Sequence, residues 1–115
     1  PQRAIPMLEA SERDLPGDYN PPARLAVAYR EMKDYGRALA ASDRALAKAY
    51  GPRRLGILRT RARSQAESGD LAAARATLES TIAEAQALPA GQVSERTLSA
   101  IRLELAPYLT PTALP

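Results

Sequence analysis

Two stretches of this chain follow one pattern at an offset of 36 residues: Ala26 is matched by Ala62, Asp34 by Asp70, Ala38 by Ala74 and Leu46 by Ile82. Each copy runs from one apolar-faced helix through a turn containing aspartate into a second, alanine-rich helix. The first closes at Gly51-Pro52 and the second at Leu88-Pro89. A period of this length means supersecondary units that cannot bury their apolar faces alone and so stack on their neighbours. That constrains function as well as fold, because a stack of helices offers a surface for gripping another chain rather than a catalytic cavity.

The residues available for a core agree. Phe, Trp, Cys and His are absent, and alanine makes up about a fifth of the 115 residues. Without large aromatics, a core forms when helix backbones approach closely, as alanine permits. Strand formers are scarce, with Val27 and Val93 the only valines. The chain is therefore read as all-α.

Six helices follow from periodicity and end signals. The first is expected over 3–14, with Ile5, Leu8 and Leu15 on its apolar side and Pro6 tolerated in its first turn. Asn20 is an expected N-cap ahead of Pro21. The second helix then runs to about Lys33, burying Leu25, Ala28, Tyr29 and Met32. Asp34 caps a third helix that reaches Tyr50. The fourth covers about 54–67, with Gly69 as a left-handed C-cap. Asp70 caps a fifth helix to Ala87, and Ser94 caps a sixth with Leu98, Ile101, Leu105 and Leu109 on one stripe. Pro107 and Pro111 are expected to close the ordered part, leaving 110–115 loose. Tyr29, Tyr35 and Tyr50 fall at junctions of helix pairs and read as core plugs, Tyr19 and Tyr108 as partly exposed.

These residues resemble the tetratricopeptide repeat (TPR) family. Ala26 and Ala62 match its small position on the first helix of each pair, Ala38 and Ala74 the small position opening the second. Tyr29 matches its aromatic and Ala45 its later small residue. Gln65 and Thr81 depart from Tyr29 and Ala45 in the second copy, and the family's tryptophan is replaced by Pro22 and Leu58. The resemblance implies a right-handed α-solenoid of antiparallel helix pairs. Residues 1–18 would be the second half of a preceding repeat, 19–52 and 53–91 two repeats, 92–109 a capping helix and 110–115 a tail. It also implies protein–protein interaction through a groove lined by the second and fourth helices, as part of a larger protein. The alanine- and arginine-rich composition suggests a bacterial source, and cytoplasm or periplasm would suit it equally.

Arg59 and Arg63 are four residues apart and share one face of the fourth helix. The resemblance implies that this face lies in the groove, with Arg30 nearby and with Val27 and Ala23 offering apolar contact. Forked guanidiniums suit a carboxylate or phosphate, which makes an acidic peptide the expected ligand. The alternative is a solvated face paired to Glu31 and Glu67, with Arg61 lying along the edge. An exposed stripe of Ile5, Leu8 and Leu15 makes self-association a second reading.

Other functions find less support. Net charge is only +3, and no stacking aromatics interleave with the arginines, which disfavours nucleic acid. With no His or Cys, the common bases, nucleophiles and soft metal ligands are missing, so neither enzyme chemistry, cofactor nor metal is expected. Asp14 and Asp18 flank Pro16-Gly17 as turn formers. Ser42 and Ser64 read as small packing residues. No apolar run approaches the roughly 20 residues of a membrane span, and no basic-then-apolar leader is visible.

Overall fold

The 36-residue echo is written into the backbone at two turns. The structure, a computed structural model, describes residues 2–109. Those residues form α1 (Ala4–Asp14), α2 (Asn20–Glu31), α3 (Tyr35–Lys48), α4 (Arg53–Glu67), α5 (Leu71–Ala87) and α6 (Glu95–Leu109), with no strand among them. Between α2 and α3, Asp34 adopts φ −92° and ψ 76°, and its carboxylate accepts the Arg37 N–H at 3.3 Å. Between α4 and α5, Asp70 has the same two angles and accepts the Ala73 N–H at 3.1 Å. Each turn also ties its aspartate N–H to a carbonyl of the preceding helix, Tyr29 in one and Gln65 in the other, both at 2.9 Å.

The residue before each aspartate is left-handed. Gly69 takes φ 98°, as a C-cap glycine should, whereas the matching position holds Lys33 at φ 63°. A side chain there costs about 1 kcal/mol that glycine avoids. Ser94 caps α6 by accepting the Thr97 N–H at 3.1 Å.

Several end assignments differ from expectation. Asn20 is not a cap but the first helical residue: Tyr19 holds the cap position without a side-chain capping bond, and Asp18, one residue earlier, accepts both the Asn20 backbone N–H (2.9 Å) and its side-chain amide (3.1 Å) through Oδ1. Pro107 does not stop α6, which continues to Leu109. Leu109 is exposed, however, so the buried stripe ends at Leu105. Met32 is exposed because it lies past the last turn of α2, where the chain swings into Lys33. Tyr50 is no core plug: α3 ends at Lys48, and the extended backbone at Ala49 throws the ring outward to 72% exposure. The expected tail lies outside the described residues.

Packing follows chain order. The pairs α2–α3 and α4–α5 are the most intimate; α1–α2, α3–α4 and α5–α6 follow, and α2 also touches α4. The Cα envelope measures 48 × 38 × 19 Å, about two helix diameters thick. Leu8, Leu25, Ala26, Tyr29, Ala38 and Ala41 make one buried cluster across α1, α2 and α3. Ala62, Leu78, Ile101 and Leu105 make another across α4, α5 and α6. Ala45, Ala49 and Ile57 fill the space between α3 and α4.

In the second copy, a polar pair takes the place of the aromatic. Gln65, only 8% exposed, accepts the Thr77 hydroxyl at 2.6 Å, and the buried Thr81 hydroxyl donates to the Thr77 carbonyl at 2.7 Å. The two departures from the first copy therefore sit in one satisfied network.

Ion pairs stitch helices that are not neighbours in sequence. Glu12 on α1 accepts from Arg44 on α3 (Nε 2.7 Å, Nη2 3.1 Å), with Lys48 at 3.8 Å. The Arg44 hydrogen bond, aided by the charges of Arg44 and Lys48 and opposed by partial burial, holds the Glu12 carboxyl below its ordinary 4.5. A carboxyl with a lowered folded pKa stabilises fully above its unfolded value and loses that contribution as pH falls through the folded one. Glu12→Gln is expected to lower stability at pH 7 by less than about 1 kcal/mol, since Arg44 is half open to solvent. Its thermal midpoint should also fall less steeply than the parent's below about pH 4.5. Parallel curves for the two proteins over that range would exclude a Glu12 contribution.

Candidate binding groove

The N-terminal half of α4 and the body of α2 do not close on each other completely. Small side chains are the reason: Ala23 and Ala26 on α2 and Gly56 on α4 leave a groove of about 520 Å³. Ala4 and Leu8 of α1 and Ile57 of α4 complete its apolar lining. Val27, 39% exposed, offers the groove an isopropyl group that nothing covers. Arg24, Glu31, Arg53 and Thr60 supply its polar edge.

Of the five residues expected to bind a partner, Ala23 and Val27 line this groove. The three arginines are placed elsewhere and are engaged. Arg30 donates through Nε and Nη2 to Glu67 at 3.1 and 2.9 Å. Arg59 and Arg63 do share a face of α4, and a single carboxylate, Glu104 of α6, takes both. Arg63 reaches it at 3.1 Å, and Arg59 donates from Nε. Arg59 also borders a second recess, made with Gly91, Val93 and Ser94 of the α5–α6 loop, and Gly56 borders both recesses. Arg61 does not merely lie along an edge: it pairs with Asp43 at 2.6 Å and donates to the Leu39 carbonyl at 3.3 Å. Arg54 is held bidentately by Glu84 (2.8 and 3.3 Å) and donates to the Leu46 carbonyl at 2.8 Å.

No protein-family model, curated protein or solved structure matches this chain. Its chemistry is therefore read from its own residues.

Two groove arginines stand apart from this pattern. Arg24 and Arg53 make no ion pair among the described residues, and Arg53 lies over the Tyr50 ring at 5.9 Å from its centre. Arg53 opens the dense arginine run 53–63, but that run does not separate it from its paired members, and Arg24 lies outside it; neither belongs to an i, i+4 arginine pair on a helix face. The first turns of α2 and α4 lack an acid, but so do those of α1, α3 and α5, so that absence does not mark these two arginines in the sequence.

The repeat-packing residues are buried together as far as their clusters extend. Ala26, Tyr29 and Ala38 share one cluster and Ala45 lies in the next; Ala62 is packed with Leu78, and Ala74 is fully buried. The Tyr29 hydroxyl donates to Glu9 at 3.4 Å, and burial, with the Glu9 charge second, raises its pKa above 10.0. The phenol therefore stays neutral throughout the physiological range.

On α1, Leu8 is buried in this cluster and Ile5 packs against it rather than being displayed; the large apolar residues left exposed are Met7 on the helix and Leu15 just past its end. No group of three or more Asp or Glu residues among the described residues is placed to hold a metal ion. No helix among them is long and apolar enough to cross a membrane.

Proposed function

We propose that this chain is a TPR-like module, a right-handed solenoid of antiparallel helix pairs, which binds a peptide or a partner protein in the groove between α1, α2 and α4. The observation that carries this reading is the groove itself. It has about 520 Å³ of space with apolar walls and the uncovered Val27 at its edge. A space of that size accepts two or three large side chains, whereas a flat, charged helix face would accept none. Helical stacks use such concavities for extended or helical segments of other proteins.

Selection of random displayed 12-residue peptides on the 115-residue protein tests it. Enriched peptides should bind the parent and lose about tenfold or more in affinity on Val27→Arg, which fills the groove from an exposed position. The variant should melt at the parent temperature. Peptides that bind the variant as well as the parent would refute the groove, and failure to enrich any would refute peptide binding.

A further inference from the structure

Around α4, arginines are matched one after another by carboxylates from other helices. Arg54 has Glu84, Arg59 and Arg63 share Glu104, Arg61 has Asp43, and Arg30 of α2 has Glu67. Arg24 and Arg53, both on the groove, are the arginines of this region left without an acid among the described residues. We infer that the groove takes a peptide segment with a large apolar anchor beside an acidic residue, the anchor entering the alanine-floored space and the carboxylate meeting Arg24 and Arg53. This rests on the groove reading above and specifies its ligand.

Three features support it. First, the groove has room for a large side chain. Ala4, Ala23, Ala26 and Gly56 line it with small groups between Leu8, Val27 and Ile57. A small-residue floor under an open mouth is complementary to a bulky side chain.

Second, Arg53 stands where positive charge is locally unfavourable. It is the first residue of α4, whose first turn contains no acid and whose N-cap, Pro52, makes no side-chain capping bond. The positive end of the helix dipole and the guanidinium thus add at one edge of the groove, and an anion there would relieve both. Tyr50 beneath Arg53 holds the guanidinium by a cation–π contact at 5.9 Å, which reduces the order it must gain on binding.

Third, the polarity is directional. Glu31 lies on the same groove but seven residues beyond Arg24 on α2, about 10 Å along the axis. An acidic residue is therefore favoured at one end and disfavoured at the other, which fixes the direction in which a peptide lies.

The test uses N-acetylated, fluorescein-labelled nonapeptides in three sets. Each has a central leucine or phenylalanine flanked on one side by two Glu, two Gln or two Lys, and a control carries a central alanine. Fluorescence anisotropy with the full chain should show the acidic set binding at least tenfold more tightly than the neutral set, and the basic set more weakly still. The central-alanine control should not bind. Raising salt from 50 to 500 mM should erase most of the acidic preference. Arg24→Gln with Arg53→Gln should bring the acidic and neutral sets within about twofold of one another.

Equal binding of acidic and neutral sets to the parent, with loss of both on Val27→Arg, overturns this inference and leaves the groove reading intact. Indifference of every set to Val27→Arg overturns the groove reading itself, and absence of binding by every set overturns both. Light scattering across concentrations separates a further occupant: a dimer abolished by Val27→Arg would make a second copy of this chain the ligand and overturn the peptide proposal.

Discussion

Ala38→Trp is expected to cost about 3 kcal/mol or more, a large part of the stability of a domain this size, and to lower the urea midpoint well below the parent's. Ala38 is completely buried where α2 and α3 meet, enclosed by Leu8, Leu25, Ala26, Tyr29 and Ala41. An indole cannot enter unless the helices separate, and separating them exposes the whole cluster to water. The strain cannot be passed outward either, because Asp34 fixes the start of α3 four residues earlier through its bond to the Arg37 N–H. Ala40→Trp is the control, since Ala40 is exposed on the same helix and its indole would project into solvent. Urea titration followed by circular dichroism measures both. A midpoint for Ala38→Trp equal to that of the control would mean that the two helices do not meet at Ala38.

Ile101→Ala is expected to cost about 2–5 kcal/mol, but to spend it at one end of the molecule. Ile101 is the largest residue of α6 that is fully buried, and with Leu105 it packs on Ala62 and Leu78. Two alanine-sized surfaces would then face each other across the space left behind. Within the described residues α6 ends the chain and leans chiefly on α5, so its release need not disturb α2 and α3. Hydrogen exchange should show the amides of Glu95–Leu109 losing protection first, while α2 and α3 keep theirs. Release of α6 would also uncover Arg59 and Arg63 by withdrawing Glu104. A uniform loss of protection through all six helices would show instead that the stack melts as one unit.

Much of this architecture is legible in the linear chain because its signals are local. Asp34, Asp70 and Ser94 act through bonds to N–H groups three residues ahead, and Gly69 acts through its own φ angle. The buried alanines are legible because the offset of 36 residues sets them beside one another twice. Local signals also mislead at ends: Asn20 has the right side chain for a cap, but the helix starts one residue sooner, with Tyr19 at the cap position and Asn20 bonded back to Asp18. Lys33 was hidden because a lysine gives no hint of a left-handed backbone; its turn is dictated by the bonds on either side of it.

The charged residues were harder to read for a geometric reason. Adjacent helical positions differ by about 100°, so a modest error in helix rotation carries an arginine from a groove to a neighbouring helix. The spacing of Arg59 and Arg63 correctly places them on one face, but only the rotation of α6 shows that Glu104 occupies it. Neither the arginine run that opens at Arg53 nor the position of Arg24 sets these two apart from the paired arginines, for the converse reason. What distinguishes them is what they lack, and a missing partner is visible only when every neighbour has been placed.

The ion pairs of α4 have one further consequence. Surfaces floored with alanine are nearly interchangeable, so by shape alone several helices of this chain could stack on several others. Arg54, Arg59, Arg61 and Arg63 remove that ambiguity by reaching α5, α6, α3 and α6 respectively. A wrong neighbour that offered no acid at the matching height would leave a guanidinium without its partner. The arginines of α4 thus work as an address system: they add little to the energy of the assembled stack, but they record which helix belongs beside which.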